Sequence, residues 1–474
     1  MKTTTSNLFI YLIFFCFSFF FVLQSPLSLF SKNSIGTDSS VFIYSAKQIL
    51  QGQSMYKDIV DHKGPVLYLI NVIGLSIFKG KFIGVWILEL FSLYTTSIFL
   101  FKLASLFAAK IPSMLSVLTL IFLLSPLFVG GNLTEEWALP FISLALYIFV
   151  TNLKCNTPLT LLRLFLLSLT FALTFLLRAN LIAVWAGFGL VLLFKWIVTK
   201  NYYELLRNLS YLIFFVLLIM LPFFLYFWIE GSLDDAIYLI FEFNMVEYAP
   251  KISLFSLQKE AFYLLVGQSQ FFSVLPIIGV LFIYFNEKSY LNFAFILTLF
   301  FTAIVCSMGY GFEHYFMIFI PLLVFPYAYI FQSICDNIHK LKYPSLIVIF
   351  IFYNYIPFRV LKNNVIRNYS TQNKFEDISK FIIKNTKPSD KILTTGFGAQ
   401  LYLYSKRDCA IRFPYSLIWS SLVKKNYLNE TTKALPKLII GDSKIGEIDL
   451  SILLKKKYKL ISNNSLNINV WCLK

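Results

Sequence analysis

The stretch that decides the reading of this chain is Ile35-Gly36-Thr37-Asp38-Ser39-Ser40, followed one loop later by Tyr56-Lys57-Asp58-Ile59-Val60-Asp61-His62-Lys63-Gly64-Pro65. It is a polar island between the first two long apolar stretches. The chain has 474 residues, of which 58% are hydrophobic and only 14% charged. That composition describes a polytopic membrane protein, in which every ionisable group near the hydrocarbon is costly and is a functional candidate. An acid, an imidazole and an ammonium crowded just after the first span suit chemistry on a charged, membrane-borne substrate.

Working outward, runs long enough to cross a bilayer, about 17–25 residues each, fall at 8–30, 82–107, 111–129, 136–153, 159–177, 180–198, 207–229, 262–284, 290–308, 315–333 and 341–358, about eleven spans. Leu8–Phe30 exceeds the apolar core of a signal peptide and is followed by no small-x-small cleavage site, so it reads as a retained span. Residues 66–78 are apolar but short and follow Gly64-Pro65, which reads as an interfacial or re-entrant helix. With the N-terminus inside, Lys102, Lys110, Lys154, Lys195, Lys200, Arg207, Lys288, His339, Lys340 and Lys342 fall in inner loops, as the positive-inside bias expects. The outer loops then hold residues 38–63, the corner 132–136, Arg178–Asn180, an acidic loop at 230–260 and the corner 309–314. An odd number of spans places the tail on that same face.

Residues 359–474 change character, with 21 Lys and Arg against 8 Asp and Glu. Lys374–Thr386 has helical spacing, while 390–396 and 436–441 read as short buried strands ending in Gly, with further strands at 458–461 and 468–473. The expected organisation is a transmembrane unit over 1–358 and a small α/β unit over 359–474, large enough for its own core. The basic tail suits anionic head groups or lipid phosphates better than nucleic acid. Six scattered cysteines show no metal-ligand spacing, and Cys409 with Cys472 is the one pairing the tail allows.

The polar residues offer chemistry and, beside it, plainer roles. Asp38 can take a proton from an incoming hydroxyl or amine, or it can cap a helix over 41–51. Lys63 is a point charge suited to phosphate oxygens, or an interface lysine. Asp61 and His62 can orient it or share in proton transfer, and Asp58 belongs to the same cluster. Glu135 and Glu136 can bind a sugar hydroxyl, an amine or a divalent cation, or can form a helix N-terminus capped by Thr134. Arg178 beside Asn180 can clamp a phosphate, or simply anchor at the interface. At the last corner, Gly309–Tyr315, Glu313 and His314 can contact the donor head group or the acceptor, or can simply belong to a surface loop.

In this order these motifs resemble the multi-spanning glycosyltransferases of the GT-C fold, in the bacterial branch related to protein O-mannosyltransferases and aminoarabinose transferases. The order is an outer Asp after span one, Tyr-x-Asp…Asp-His-Lys-Gly-Pro, an Asn-x-Thr-Glu-Glu corner, a Glu-His-Tyr corner and a small outer domain. The resemblance covers nearly the whole chain. It implies an α-helical polytopic protein with an extracytoplasmic α/β domain in a bacterial plasma (inner) membrane. The implied activity is inverting transfer from a polyprenyl-phosphate-linked sugar to an acceptor that could be glycan, lipid or protein. By position, Asp38 is the implied base, Lys63 with His62 and Arg178 the implied donor-phosphate ligands, and Asp58, Asp61, Glu135, Glu136, Glu313, His314 and Tyr315 the implied substrate contacts. Relatives often carry Lys-Pro-Pro where this chain has Lys63-Gly64-Pro65, and a second acid where it has Ser39-Ser40, which leaves a divalent cation an open option. The rival reading is a transporter or flippase for a lipid-linked saccharide, which would carry mid-span charges and inverted repeats. Here Glu89 is the main mid-span charge. A surface-polysaccharide polymerase and a membrane acyltransferase fit the motif order less well.

Overall fold

The computed structural model describes residues 2–248, 289–307, 312–337, 342–415, 420–462 and 468–474. Within them the sequence folds as α1 (Lys2–Val22), α2 (Thr37–Leu50), α3 (Pro65–Ile77), α4 (Ile83–Ala104), α5 (Lys110–Leu124), α6 (Thr134–Cys155), α7 (Leu161–Leu177), α8 (Ala183–Val198), α9 (Tyr202–Glu230) and α10 (Leu233–Ile237). Further helices cover Tyr290–Ser307, Val324–Asn337 and Lys342–Ser370, with a 3₁₀ helix at Glu313–Leu323. Six helical stretches among the described residues are long and apolar enough to cross a membrane, and five more are apolar but shorter. The protein is therefore a multi-pass membrane protein. The span expected at 262–284, and Lys288, His339 and Lys340, lie outside the described residues.

The apolar faces choose their partners by aromatic packing. α1 lies against α4 and α5, with Phe14 meeting Phe101 edge-on at 5.5 Å and Phe21 meeting Phe128 at 5.1 Å. α1 ends at Val22, well before residue 30, because the chain turns at once through Ser25 and Ser28. One of the carbonyls left over at that end accepts a hydrogen bond from Trp86 Nε1 at 2.8 Å. α3 is 13 residues long, about 20 Å at the helical rise, which is too short to cross. It packs on α4 so tightly that a Cβ on Gly84 would sit 1.8 Å from the Gly74 carbonyl oxygen. α9 is the opposite case: 29 residues, with only 6% of its apolar window buried among the described residues. It begins at an Asn201 cap and ends at Gly231, which adopts φ +64°.

Several expectations need correction. The 230–260 segment is not a loop where it is described: Ser232 begins α10, and Tyr238–Tyr248 continues as a π-helix. The helix expected over 41–51 starts earlier, at Thr37, and is capped by Gly36, so Asp38 is not a cap. Likewise α6 is preceded by Leu133, with Thr134 as its first residue rather than its cap. Cys409 and Cys472 are both free thiols.

The C-terminal part carries a mixed four-stranded sheet, in the order β1 (Ile392–Thr395), β2 (Leu438–Gly441), β6 (Val470–Leu473), β5 (Tyr458–Ser462). β1 and β2 are parallel; the other neighbours are antiparallel. A two-stranded ribbon, β3 (Lys444–Ile445) with β4 (Ile448–Asp449), stands apart. The expected amphipathic helix is present as Glu376–Asn385. The apolar run expected at 341–358 and its polar continuation form one helix, Lys342–Ser370.

This unit docks on α2. The Tyr44 and Tyr402 rings lie 5.1 Å apart, Cys409 N donates to Tyr44 Oη at 2.7 Å, Ala399 N donates to Ser40 Oγ at 3.0 Å, and Ile35 N donates to Tyr404 Oη at 2.8 Å. Val60 N donates to the Arg412 carbonyl at 2.8 Å, so the second half of the polar island is held as well.

Gly84→Ala should destabilise the fold by about 1–3 kcal/mol, because the new methyl must push α3 from α4. A lower unfolding midpoint in detergent, with full-length expression, is the expected result; an unchanged midpoint would mean the two helices separate freely.

Candidate functional site

A cavity of about 370 Å³ opens at one end of the bundle, and both halves of the polar island line it: Asp38 and Ser39 from the start of α2, and Asp61, His62 and Lys63 from the loop before α3. Phe312, His314 and Tyr315 from the last corner, Tyr248 from the π-helix and Tyr415 from the C-terminal unit complete the wall.

Asp38 is the second residue of α2, exposed to the cavity, where the partial positive charge of the helix N-terminus favours a carboxylate. Its neighbours are committed elsewhere. Ser39 Oγ accepts from Asn132 Nδ2 at 3.1 Å, and Ser40 Oγ donates to the Thr37 carbonyl at 2.5 Å while accepting from Ala399. Asp38 itself has no hydrogen-bond or ion-pair partner among the described residues.

The Asp61–Lys63 segment is held by two buried tyrosines. Tyr56, at φ +68°, donates to the Lys63 carbonyl at 2.7 Å. Tyr68 donates to Asp61 Oδ2 at 2.6 Å, and His62 N donates to Asp61 Oδ1 at 2.8 Å. Burial pushes the Asp61 carboxyl above its usual range, against the Tyr68 hydrogen bond and the nearby Lys63. The next residue, Gly64, donates to the Leu177 carbonyl, and a Cβ there would stand 2.0 Å from the Leu176 carbonyl oxygen. A proline at 64 would supply the clash and remove the donor. The Lys63 ammonium, half-buried on the cavity wall, has no partner among the described residues.

His62 Nδ1 lies 2.8 Å from Asn244 Oδ1, and Asn244 Nδ2 donates back to the His62 carbonyl at 3.1 Å. Asn244 Nδ2 also donates to two π-helix carbonyls, which fixes Oδ1 as the acceptor and puts the imidazole proton on Nδ1. Burial and then the Lys63 charge hold the His62 pKa well below its usual value, so the ring is neutral.

The remaining expected residues divide. His314 and Tyr315 line the cavity; Arg178 does not. Its guanidinium donates to Glu135 Oε1 at 2.5 Å and lies 4.3 Å over the Tyr315 ring. Glu135 also accepts from Thr134 Oγ1 at 2.8 Å and is buried. Arg178 and Glu135 thus form a paired support behind Tyr315. Glu136 is buried and turned towards Glu89. Glu313 faces a neighbouring cavity, and Asp58 accepts from Ser54 N on the far side of the loop.

Asn132 was read only as part of a corner, yet it is the hub of the site. At φ +57° and fully buried, it bonds Ser39, exchanges two hydrogen bonds with Asn71 at 2.9 and 3.1 Å, and accepts from Trp137 Nε1 at 3.0 Å. Asn244, Tyr248 and Tyr415 were also missed, because they are ordinary polar and aromatic residues whose distant positions only the fold unites. Among the described residues no three His, Cys, Asp or Glu side chains converge on one point. With Ser39 and Ser40 bound to protein groups, the donor set around Asp38 does not form a side-chain cage for a divalent cation.

A polytopic helical bundle with a polar cavity under a small α/β unit is the architecture of the GT-C class, and the chain has that fold. Over 99% of its length it superposes on 98% of the apo crystal structure of ArnT from Cupriavidus metallidurans, with a TM-score of 0.68 and 11% identity. The same enzyme bound to undecaprenyl phosphate matches over 98% of both chains, at a TM-score of 0.64 and 13% identity. The oligosaccharyltransferase AglB from Archaeoglobus fulgidus, in complex with an inhibitory peptide and a dolichol-phosphate, matches all of this chain and 74% of its own, at a TM-score of 0.57 and 12% identity. No protein-family model matches the sequence, and no curated protein matches it at a significant level.

Two predictions follow from this geometry. Asn132→Ala strands Ser39, Asn71 and Trp137, and should lower stability by on the order of 2–4 kcal/mol, read as a lower unfolding midpoint. The second concerns pH. The unfolded chain protonates His62 near pH 6.5, while the folded chain resists until lower pH, so folded stability is intact above 6.5 and falls as pH drops from there towards the folded value. The midpoint should therefore fall less between pH 7.5 and 5.5 in His62→Gln than in the parent; parallel losses would show that His62 is not the group responsible.

Proposed function

We propose that this protein is a membrane glycosyltransferase that moves a sugar from a polyprenyl-phosphate-linked donor to an acceptor hydroxyl or amine. The observation that carries this reading is the pair Asp38 and Lys63: two charges of opposite sign on one cavity, neither with a hydrogen-bond or ion-pair partner among the described residues. Neighbours in fold bound to undecaprenyl phosphate and to dolichol-phosphate support a lipid-phosphate donor.

In this mechanism the acceptor oxygen attacks the anomeric carbon as Asp38 takes its proton. The bond from that carbon to the phosphate oxygen breaks, and the phosphate leaves with the electron pair. A single displacement inverts the anomeric centre. A phosphate is already a good leaving group, so stabilising its growing charge matters more than protonating it. Lys63 supplies that charge. Neutral His62, with its proton committed to Asn244, orients the segment rather than adding charge. Tyr315 and Tyr415 offer ring faces to the sugar, and Asp61 holds the backbone that presents Lys63. Arg178 acts through Tyr315. No step is routed through a metal.

On this reading the reaction takes place on the extracytoplasmic face of a bacterial plasma membrane, and the lysine-bearing loops at the other helix ends support that orientation through the positive-inside bias. The α/β unit over the C-terminal residues sits on that face and closes the cavity with Tyr415.

Transfer of radiolabelled sugar from a panel of polyprenyl-phosphate donors, measured in membranes at matched expression, tests the reading. Asp38→Asn should lower transfer by about 10²–10⁴-fold while polyprenyl-phosphate binding stays intact. Lys63→Ala should weaken that binding as well as transfer. Unchanged transfer in Asp38→Asn would remove Asp38 as base, and unchanged binding in Lys63→Ala would remove the phosphate assignment.

A further inference from the structure

A second cavity, also of about 370 Å³, lies against the first and shares Gly36, Thr37 and Val129 with it. The partition is one residue thick at two places: Thr37 faces both cavities and Asp38 the first, while Glu313 faces the second and His314 the first. A group held in the second cavity is therefore next to Asp38 without entering the wall that carries Lys63.

The lining has its own chemistry. Asn364 and Asn368 project from the last long helix, beyond its apolar part, and meet Gln24 and Asn33 from the segment after α1. Asn33 Nδ2 donates to Asn368 Oδ1 at 3.1 Å, and Asn364 Nδ2 donates to Gln24 Oε1 at 3.1 Å. These bonds fix a floor of carboxamides, a surface that matches sugar hydroxyls in both donor and acceptor sense. Two cations stand at its rim. Arg367, in the last turn of the helix, and Lys374 both line the cavity and are exposed, and neither has a carboxylate partner among the described residues. Arg guanidinium and Lys ammonium on a carboxamide floor select an anion attached to a polar body. The lining is too polar for an acyl chain.

We propose that this second cavity is the acceptor subsite and that it takes an anionic saccharide head group, with Arg367 and Lys374 on its phosphate or carboxylate and the carboxamide floor under its ring. The acceptor assignment rests on reading the first cavity as the donor site; the anion-binding assignment does not. Such a head group, carried by a membrane lipid or by a free or polymeric glycan, would present a hydroxyl across Thr37 to Asp38.

The test uses the full-length protein in phosphatidylcholine nanodiscs, with glucose 1-phosphate, glucose and polyprenyl phosphate as separate probes. Glucose 1-phosphate should bind more tightly than glucose, and about tenfold less tightly to the combined Arg367→Ala and Lys374→Ala variant. Both residues are exposed, so a matched unfolding midpoint is expected and is checked. Polyprenyl phosphate should bind this variant as it binds the parent, and should be weakened by Lys63→Ala, which leaves glucose 1-phosphate binding in place. Equal binding of glucose 1-phosphate to parent and variant, or none to the parent, overturns the anion site. A parallel loss of polyprenyl phosphate in the double variant overturns the acceptor assignment, since both cavities would then serve the donor. If Lys63→Ala changes nothing while the double variant still loses glucose 1-phosphate, the donor reading fails and the anion site stands. Repeating the titration in phosphatidylglycerol nanodiscs separates the sources: suppressed binding assigns a lipid head group, and persistent binding assigns a free or polymer-borne saccharide.

Discussion

The carboxamide of Asn132 reaches α2 through Ser39, α3 through Asn71 and α6 through Trp137, all of them buried side chains. In such surroundings each hydrogen bond is strong, and each unmade one is expensive. Asn132 therefore does more than join three helices. It sets the rotation of α2, and with it the direction in which the first turn presents Asp38. Its left-handed backbone, at φ +57°, is tolerable for asparagine and poor for a branched residue. The Gly130-Gly131 pair just before it makes the turn that puts the side chain at the junction.

The second constraint is the docking of the α/β unit. It grips α2 on the side away from Asn132, through Ser40, Tyr44 and the backbone of residues 35 and 60. Ser39 and Ser40 thus point to different partners, one in the membrane bundle and one in the C-terminal unit. Asp38, just before them, is held by both without touching either. The unit consequently contributes to the cavity in two ways: it immobilises the acid, and it places Tyr415 on the wall. A purely appended domain would do neither.

Much of this was legible in the sequence. The apolar runs marked the long helices, because the bilayer demands a continuous stretch of about 20 residues and little else imitates one. The shortness of α3 and the strands running up to Gly396 and Gly441 were equally plain, the first of them stopping one residue short of its glycine. The polar island announced the site, since charges beside the hydrocarbon need a reason. What stayed hidden was pairing at long range. Nothing local distinguishes Arg178 as the partner of Glu135 from Arg178 as a phosphate clamp, and nothing local sets Glu136 facing Glu89. The cap readings of Asp38 and Thr134 failed for a related reason. A side chain that could cap its helix gives way when the cap position falls earlier in the chain, at Gly36 two residues before Asp38 and at Leu133 just before Thr134. Tyr415 lies hundreds of residues from Asp38 and carries no motif, so only the docking of the C-terminal unit reveals it.

The contrast between the two sets of charges is what ties structure to chemistry. Glu135 and Arg178 are both withdrawn from the cavity and satisfy each other, which is the arrangement expected of charges that serve stability or positioning near a low-dielectric region. Asp38 and Lys63 sit on the cavity wall with no such partners among the described residues, although the backbone of each is held by its neighbourhood: Asp38 by Ser39 and Ser40, Lys63 by Tyr56 at its carbonyl and by Gly64 wedged against α7. A fold that wanted only stability would have brought these two charges together or removed them. In the mechanism proposed above, that separation keeps one acid for a proton and one cation for a leaving phosphate, with the reacting carbon between. The same logic separates Lys63 from Arg178. An arginine already bonded to a buried carboxylate has little attraction left for an anion, whereas an ammonium on the wall with no direct partner among the described residues retains more of its own.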